Sequence, residues 1–504
     1  MKAALFTILI TLLGCTALAQ GPAADLIIIG DILTMAEKRS RTEALAVAGE
    51  RIIAVGSEEE VRKFAGPATR VIDARGRTVI PGFNDAHVHF MGIGNLFSSI
   101  DLRGARSPVD AAERIARYAK YLPNGRWILG SGWDNGKWEP AELPDRWLID
   151  ERTEANPVFI YHAKPDTAWV NEAALKLAGI TAKSRDPEGG EIVRRADGEP
   201  TGVLRGTAIR LVARLVPTDH MRRWAEIAET ASNLAASLGV TSVQDTHSDD
   251  MAAVYRELES AGRLKTRIYD CVSLSDPAKF AAELPKKGAA MVRTGCLKSF
   301  ADGDEEWLPE LGQLFKKADA AGRQVAIHAI GSRANAAALE IMAGGDRRRR
   351  HRIEHAEGIA DEDLERLKGR GLVASIQPYL FGRGGGRGEY YSSLERAGAV
   401  LAMGSDAPMT EFDPLLGIRA MTTGEGAPSI EQAIRAYTVG SAFAEFQERE
   451  KGALEKGKLA DIVVLSENIV REPARLSTAR VVMTIVGGKI VFNDETLQIT
   501  KEGR

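Results

Sequence analysis

From Ala24 onward the apolar positions fall in short β-branched runs, "ADLIIIGDILTM", "EALAVAGERIIAVG" and "TRVIDARGRTVIPGF", cut by glycines and charged turns. Such runs, without helical periodicity, predict short strands. The C-terminal stretch "GALEKGKLADIVVLSENIV…VVMTIVGGKIVF" has the same pattern. Neither end alternates strands with helices. The two ends are therefore expected to pair into one small β-sandwich domain, composed of 20–78 and 452–504.

The middle, 79–451, alternates strand-like runs with amphipathic ones. Candidate strands end at 89, 245, 274, 302, 329, 356, 378 and 406, as in "DAHVH", "GVTSVQD", "QVAIHA" and "AVLAMGSD". Amphipathic runs such as "MRRWAEIAETASNLAASLG", "WLPELGQLFKKADAAG" and "DEDLERLKGRG" lie between them. Eight strands with intervening helices predict an α/β fold, a (β/α)8 TIM barrel. The first two strands are too far apart for one crossover, so about 90–235 is read as an insertion. It holds two more strand-like runs, "WILGSG" and "PVFIYHA", and the Trp-rich "SGWDNGKWEP". Long insertions on barrels commonly build a lid or a pocket wall.

Composition changes this picture only at the edges. Apolar residues make up 44% and the net charge is −3, so nothing favours a nucleic-acid partner. The single basic run, Arg347 to Arg350, reads as a solvated loop. The N-terminus "MKAALFTILITLLGCTALAQ" has a Lys, an apolar run too short to span a membrane, and "ALA" before Gln20. This predicts a signal peptide over 1–19 and an exported, periplasmic or secreted chain. The alternative is a lipobox, "LLGC", with a lipid anchor on Cys15; no later segment is apolar enough for a membrane helix. Cys271 and Cys296 would remain, and are expected to be buried small hydrophobes without a disulfide.

Polar residues collect where the predicted strands end. His87 and His89 share one face of the first strand, because residues i and i+2 point the same way. His328 ends the fifth strand, His355 the sixth and Asp406 the eighth. Barrel active sites form at this end. Metal-capable side chains on four strands at one end point to a divalent-metal site. Lys298, on strand four in "CLKSFADG", is open to two readings. One is a lysine reaching solvent or pairing with Asp302. The other is a carbamate, formed with CO2, that bridges two metals as an anionic oxygen ligand.

At this point the chain resembles the amidohydrolase superfamily, in the YtcJ-like group (amidohydrolase family 3) that includes N-substituted formamide deformylases. The matching stretches include "PGFNDAHVHF", "GWDNGKW", "AWVNEAALKLAGI", "GEPTGVLRG", "LKSFADG", "IHAIGSRAN", "HRIEHAE", "SIQP" and "GSDAPM". The resemblance implies a metal site of His87, His89, carbamylated Lys298, His328, His355 and Asp406. It departs from the group's pattern at Asp166, where a His is usual, at Ser332, where an Asp is usual, at Asp304 to Glu306, and in the loop "YLFGRGGGRGEYY". These positions bear on the substrate, not on the metals.

Imidazole and carboxylate ligands without thiolates suit two Zn2+ ions per chain, with Mn2+, Fe2+ or Co2+ as alternatives. Metal-activated hydroxide would attack a carbonyl carbon, with Asp406 as general acid/base. The expected reaction is hydrolysis of a non-peptide C–N bond, amide or N-formyl, in a small molecule. Deamination of an N-heterocycle and a non-catalytic exported binding protein are the alternatives. Trp133, Trp138, Asp166 and His247 are candidate substrate-pocket residues. A homodimer is among the assemblies left open, since relatives commonly form dimers.

Overall fold

The computed structural model describes residues 23–120, 122–164, 166–217, 220–246, 251–275, 290–302, 305–382 and 387–501. The expected signal peptide, Cys15 and His247 lie outside these residues.

Eight parallel strands line up in chain order: Phe83–Val88, Val240–Thr246, Arg267–Ser273, Val292–Phe300, Val325–Ile330, Arg352–Glu357, Val373–Ile376 and Val400–Met403. Each pairs in parallel with the next. The first and last strands close the circle just beyond their ends. There the Asp406 N–H donates to the His87 carbonyl at 2.8 Å, and the His89 N–H to the Ala407 carbonyl at 2.9 Å. The barrel expected from the alternating pattern is therefore present.

Helices such as His220–Ser237, Ala252–Ser260, Leu308–Ala320 and Ser332–Ile341 cover the outside. The main apolar core is the ring between strands and helices, where Phe83, Val243, Ile268, Leu297, Ile327 and Ile353 meet helical residues such as Tyr255, Leu311 and Leu339. "DEDLERLKGRG" forms only a single α-turn, Asp361–Leu364, followed by a 3-10 turn.

The barrel interior is polar. Glu445 accepts from Asn84 at 2.7 Å and from Arg293 at 2.8 Å, and pairs with Lys451 at 2.7 Å. Arg352 is fully buried and donates to Glu354 at 2.7 Å, to the Ala86 carbonyl at 2.5 Å, and to Gln244. Each charge has an opposite partner, which is what makes such burial tolerable.

Both chain ends join one mixed sheet. Strand Arg70–Pro81 is its hinge piece, parallel to Leu26–Leu33 on one side and antiparallel to Ile462–Leu465 on the other. Leu26, Ile28, Leu45 and Ile72 pack with Ile462, Val482 and Ile485 in one core, so the two ends bury each other's apolar faces. That strand runs three residues past the boundary expected at 78. The Arg267–Asp461 ion pair, at 2.8 and 3.0 Å with both side chains buried, ties the third barrel strand to this sheet.

The insertion folds on its own six-stranded sheet, more than the two strands expected. Its extra strands are short or Gly-bearing, as in Ser99–Asp101 and Gly190–Arg194, and carry little hydrophobic signal.

One expectation is overturned. Cys271 and Cys296 form a disulfide, with Cα atoms 4.5 Å apart. They sit on neighbouring strands three and four and share a small cluster with Tyr269 and Ala326. Their separation of 25 residues carries no pairing signal, because adjacency arises only when the barrel forms.

Two outcomes follow from these contacts. Asp461→Ala removes the carboxylate facing a buried guanidinium, so urea denaturation should show a loss of about 3–5 kcal/mol; a loss under about 1 kcal/mol would mean the pair does not fasten the sheet to the barrel. Peptide mapping without reductant should recover a Cys271–Cys296 linked peptide. Recovery of both as free thiols would refute the disulfide.

Candidate metal centre

His87 and His89 end the first strand, and each has its Nδ1 occupied by a neighbour. His87 Nδ1 bonds to the Glu354 carboxylate. His89 Nδ1 donates to the Thr246 carbonyl at 2.6 Å. Both rings thus turn Nε2 the same way, towards Asp406 Oδ1, at 3.4 and 3.3 Å. One donor atom from each of the three lies within 4.8 Å of the others.

His355 continues the cluster, its ring centroid 4.9 Å from that of His87, and His328 follows at 4.3 Å from His355. The four imidazoles and Asp406 therefore form one contiguous group at the carboxyl ends of strands one, five, six and eight. His328 Nε2 is 2.7 Å from Asp302, which leaves Nδ1 as its uncommitted nitrogen. Lys298 is buried with Nζ 4.9 Å from the centre of the Phe300 ring. Among the described residues no carboxylate lies within ion-pair distance of Nζ. Asp302 instead serves His328, so the Lys298–Asp302 pairing open in the sequence is not formed.

Local backbone geometry makes this convergence. Strict alternation would send Glu354 and His355 to opposite faces. His355 and Ala356 have φ of 69° and 49°, which rotates the chain at the strand end. Arg352 and Glu354 then face the barrel interior, and His355 still reaches His87. Asp406 also has a positive φ, 60°. Non-glycine residues held there cost of order 1–3 kcal/mol each and cluster at functional sites.

Electrostatics divide the imidazoles: the facing Asp406 carboxylate raises the pKa of His89, whereas burial favours the neutral form of His328 and His355. Burial, with His87 and His328 alongside, pushes His355 down to about 2, and burial also lowers His328. Burial pushes Lys298 down to about 8. For Asp406 burial works upward, but the facing His87 and His89 outweigh it and hold the carboxyl well below its ordinary range.

These residues fit a divalent cation. Two Nε2 atoms and a carboxylate oxygen converge. Among the described residues nothing hydrogen-bonds to the buried His355 Nδ1 or Asp406 Oδ1. A buried polar atom without a partner is costly, and a metal ion would satisfy both.

The other candidates stand apart. Trp133 and Trp138 are 0% and 4% exposed, stack at 5.7 Å, and pack with Trp169 and Ile160 in the insertion's own core. Trp133 Nε1 donates to the Ile160 carbonyl. They are core residues, not a pocket wall. Asp166 is exposed at the insertion surface, where it accepts from Thr167.

Three residues of the site escaped the sequence. Glu354 and Arg352 support His87 from below. Asp85, fully buried, accepts from the Ser405 N–H at 3.0 Å and the His87 N–H at 3.1 Å, and burial pushes its carboxyl up to about 7. The available signal was charge inside apolar strands: "NDAHVH" and "HRIEHAE" place acids where only a buried partner justifies them.

Comparison with known proteins now bears on this site. A family model described as "Amidohydrolase family" matches residues 70–492. The chain belongs to the amidohydrolase family. It is a hydrolase acting on carbon–nitrogen bonds other than peptide bonds, and its relatives span more than nine-tenths of its length. It is 32% identical to "Protein LONG AFTER FAR-RED 3" of Arabidopsis thaliana, covering 94% of this chain and 92% of that one. It is 29% identical to "Putative amidohydrolase YtcJ" of Bacillus subtilis (92% and 98%) and 28% identical to "N-substituted formamide deformylase" of Arthrobacter pascens (93% and 98%). In fold it is similar to an uncharacterized metal-dependent hydrolase from Pyrococcus horikoshii, with a TM-score of 0.60, 24% identity, and coverage of 88% and 97%.

Glu354→Gln keeps an acceptor for His87 but removes the charge shared with Arg352. Groups that orient metal-binding histidines are typically worth 10- to 100-fold in metal affinity. Competition with a chelator should therefore show metal affinity lowered about tenfold or more. Wild-type affinity would show that His87 does not depend on Glu354.

Proposed function

We propose that this amidohydrolase is exported and hydrolyses a small-molecule amide or N-formyl compound at a two-metal centre, most naturally zinc. His87, His89, His328, His355, Asp406 and a carbamate on Lys298 would hold the ions. The observation that carries this reading is the convergence of His87 Nε2 and His89 Nε2 on Asp406 Oδ1, a buried oxygen outside hydrogen-bond geometry with any described residue. Bound divalent ions supply Lewis acidity, which activates water near neutral pH and polarises an acyl oxygen.

The protein's own groups do the rest. Asp406, at the rim of the cluster, takes a proton from the attacking water on its carboxylate and delivers it to the departing nitrogen. Loss of that proton makes the water a nucleophile, and its delivery lets nitrogen leave as a neutral amine. Glu354 and the Thr246 carbonyl hold the His87 and His89 rings in register, so no reorganisation is needed during the reaction. Lys298 is buried and lacks a carboxylate partner among the described residues, which supports its capture as a carbamate: the nitrogen adds to CO2, loses a proton, and gains two oxygens that share one negative charge.

Support for export is chemical. A disulfide between Cys271 and Cys296 persists in oxidising compartments and is rare in the cytosol. It agrees with the leader-like pattern of residues 1–19.

Purified protein loaded with Zn2+ should hydrolyse members of N-formyl and N-acyl panels while leaving amino-heterocycles untouched. Turnover confined to amino-heterocycles would replace this reading with deamination. Asp406→Asn, saturated with metal, should lose at least about a hundredfold in kcat, since general acid–base steps contribute roughly 10²- to 10⁴-fold. A kcat within threefold of wild type would remove the proton-transfer role. Lys298→Ala should lower the zinc content measured by mass spectrometry from about two to about one per chain, with unchanged content counting against the carbamate.

A further inference from the structure

Strand four carries Lys298 to the centre, and one irregularity in its pairing decides which way that side chain points. Strands three and four pair Asp270 with Thr294 and, beyond a register shift, Val272 with Leu297 and Ser273 with Lys298. Cys271 alone therefore stands opposite both Gly295 and Cys296. This is a β-bulge, with the extra residue on strand four. The Cys271–Cys296 disulfide lies across it. Cys296 precedes Lys298 by two residues, so the two side chains share the inner face of the strand. Leu297, between them, packs in the apolar ring outside the barrel. The Tyr269 ring lies over Gly295, where a Cβ would come within 2.2 Å of it, and the Gly295 carbonyl accepts from Arg323 at 3.0 Å.

A bulge is absorbed when its strand slips by one residue, and such a slip turns every side chain beyond it to the opposite face. On strand four it would set Leu297 opposite Ser273, facing the metal-binding space, and send Lys298 outward among the apolar residues beneath the helices. The disulfide forbids this. After the slip Cys296 would face outward while Cys271 still faced inward, and cysteines whose Cβ vectors point apart cannot be bridged. We propose that Cys271 and Cys296 are positioning residues, whose disulfide locks the bulge of strand four and so holds Lys298 in the metal centre. This rests on the carbamate reading of Lys298 above and adds to it a dependence on the oxidation state of the cysteine pair. A dithiol reductant would pass two electrons and two protons to the sulfurs, giving two thiols, while closing into its own disulfide. The bulge would then be held by packing alone.

The test compares the oxidised wild type with two double variants, Cys271→Ala/Cys296→Ala and Cys271→Val/Cys296→Ala. The second refills the space of the sulfurs without a bond. Hydrogen exchange on the metal-free protein reads the lock. The Leu274 N–H donates to the Lys298 carbonyl at 2.8 Å and the Leu297 N–H to the Gln324 carbonyl at 2.9 Å. Both amides should exchange at least about tenfold faster in the variants, while the Val373 N–H, bonded to the His351 carbonyl across strands six and seven, keeps its wild-type rate. Two further readouts follow Lys298 itself. Competition with a chelator should show the more weakly held zinc bound at least about tenfold less tightly, and protein equilibrated with 13C-bicarbonate should lose the carbamate signal in its 13C spectrum. A disulfide that only stiffened the core would move neither. Wild type folded in the presence of dithiothreitol should match the Val/Ala variant, and this arm requires no substituted chain to fold. Wild-type exchange at Leu274 and Leu297 in the Val/Ala variant would overturn the lock. So would faster exchange with zinc affinity and carbamate signal unchanged, or recovery of both cysteines as free thiols from untreated protein. Faster exchange in the variants of a protein whose wild type shows no carbamate would uphold the lock and remove the carbamate reading.

Discussion

The seam between the first and last barrel strands is the constraint on which the rest depends. An eight-stranded barrel must bring Phe83–Val88 beside Val400–Met403, elements more than three hundred residues apart in the chain. Two backbone hydrogen bonds and the buried carboxylate of Asp85 make that join. Asp85 reaches across to the Ser405 N–H and also holds the His87 N–H, so one side chain fixes both edges. Gly404 permits the approach: a Cβ there would lie 2.5 Å from the His87 nitrogen and 2.7 Å from Asp85. Any other residue would push the strands apart.

The same seam places the chemistry. His87, His89 and Asp406 are the residues on either side of the join, and the bond from the Asp406 N–H to the His87 carbonyl sets their spacing. Closing the barrel and assembling the three donor groups are therefore a single event. The positive φ of Asp406 is stable only because the closed barrel holds both of its neighbours. A seam that opened by one register step would separate the donors by the length of a residue, about 3.3 Å.

The fold was legible from periodicity, and the ends of the strands were legible within a few residues. The strand expected to end at 245 ends at Thr246, and the one expected to end at 356 ends at Glu357. Short Val/Ile runs followed by a lone polar residue mark such ends well. The centre was legible in part, because metal-capable residues at strand ends stand out against apolar strands. What supports them was not. Glu354 and Asp85 stand out only as acids inside apolar strands, and their worth appears only once Arg352, Gln244 and the Ser405 N–H surround them. Trp133 and Trp138 misled because aromatic residues serve a core and a pocket equally well. The insertion proved large enough to have a core of its own. The disulfide was hidden for the same reason as the seam: strand neighbours three and four are a product of the barrel, not of the sequence spacing.

The polar interior explains why this barrel, unlike one filled with branched aliphatic residues, suits its centre. A cluster of four imidazoles and a carboxylate needs rings held at fixed orientation from below. An aliphatic floor offers no hydrogen bonds with which to hold them. Here Glu354 links upward to His87 and downward to Arg352, and Arg352 reaches Gln244 and the Ala86 carbonyl. Below them a second group, Glu445 with Arg293, Lys451 and Asn84, fills the base. Burial alone would raise the pKa of Glu354, but Arg352 and His87 outweigh it and keep the carboxylate ionised. A charged Glu354 accepts from His87 Nδ1 and holds the ring in place, which leaves Nε2 facing Asp406. The buried ion pairs thus add little net stability. Their return is orientation: they determine which nitrogen of His87 meets the metal-binding space and prevent the ring from flipping away from it.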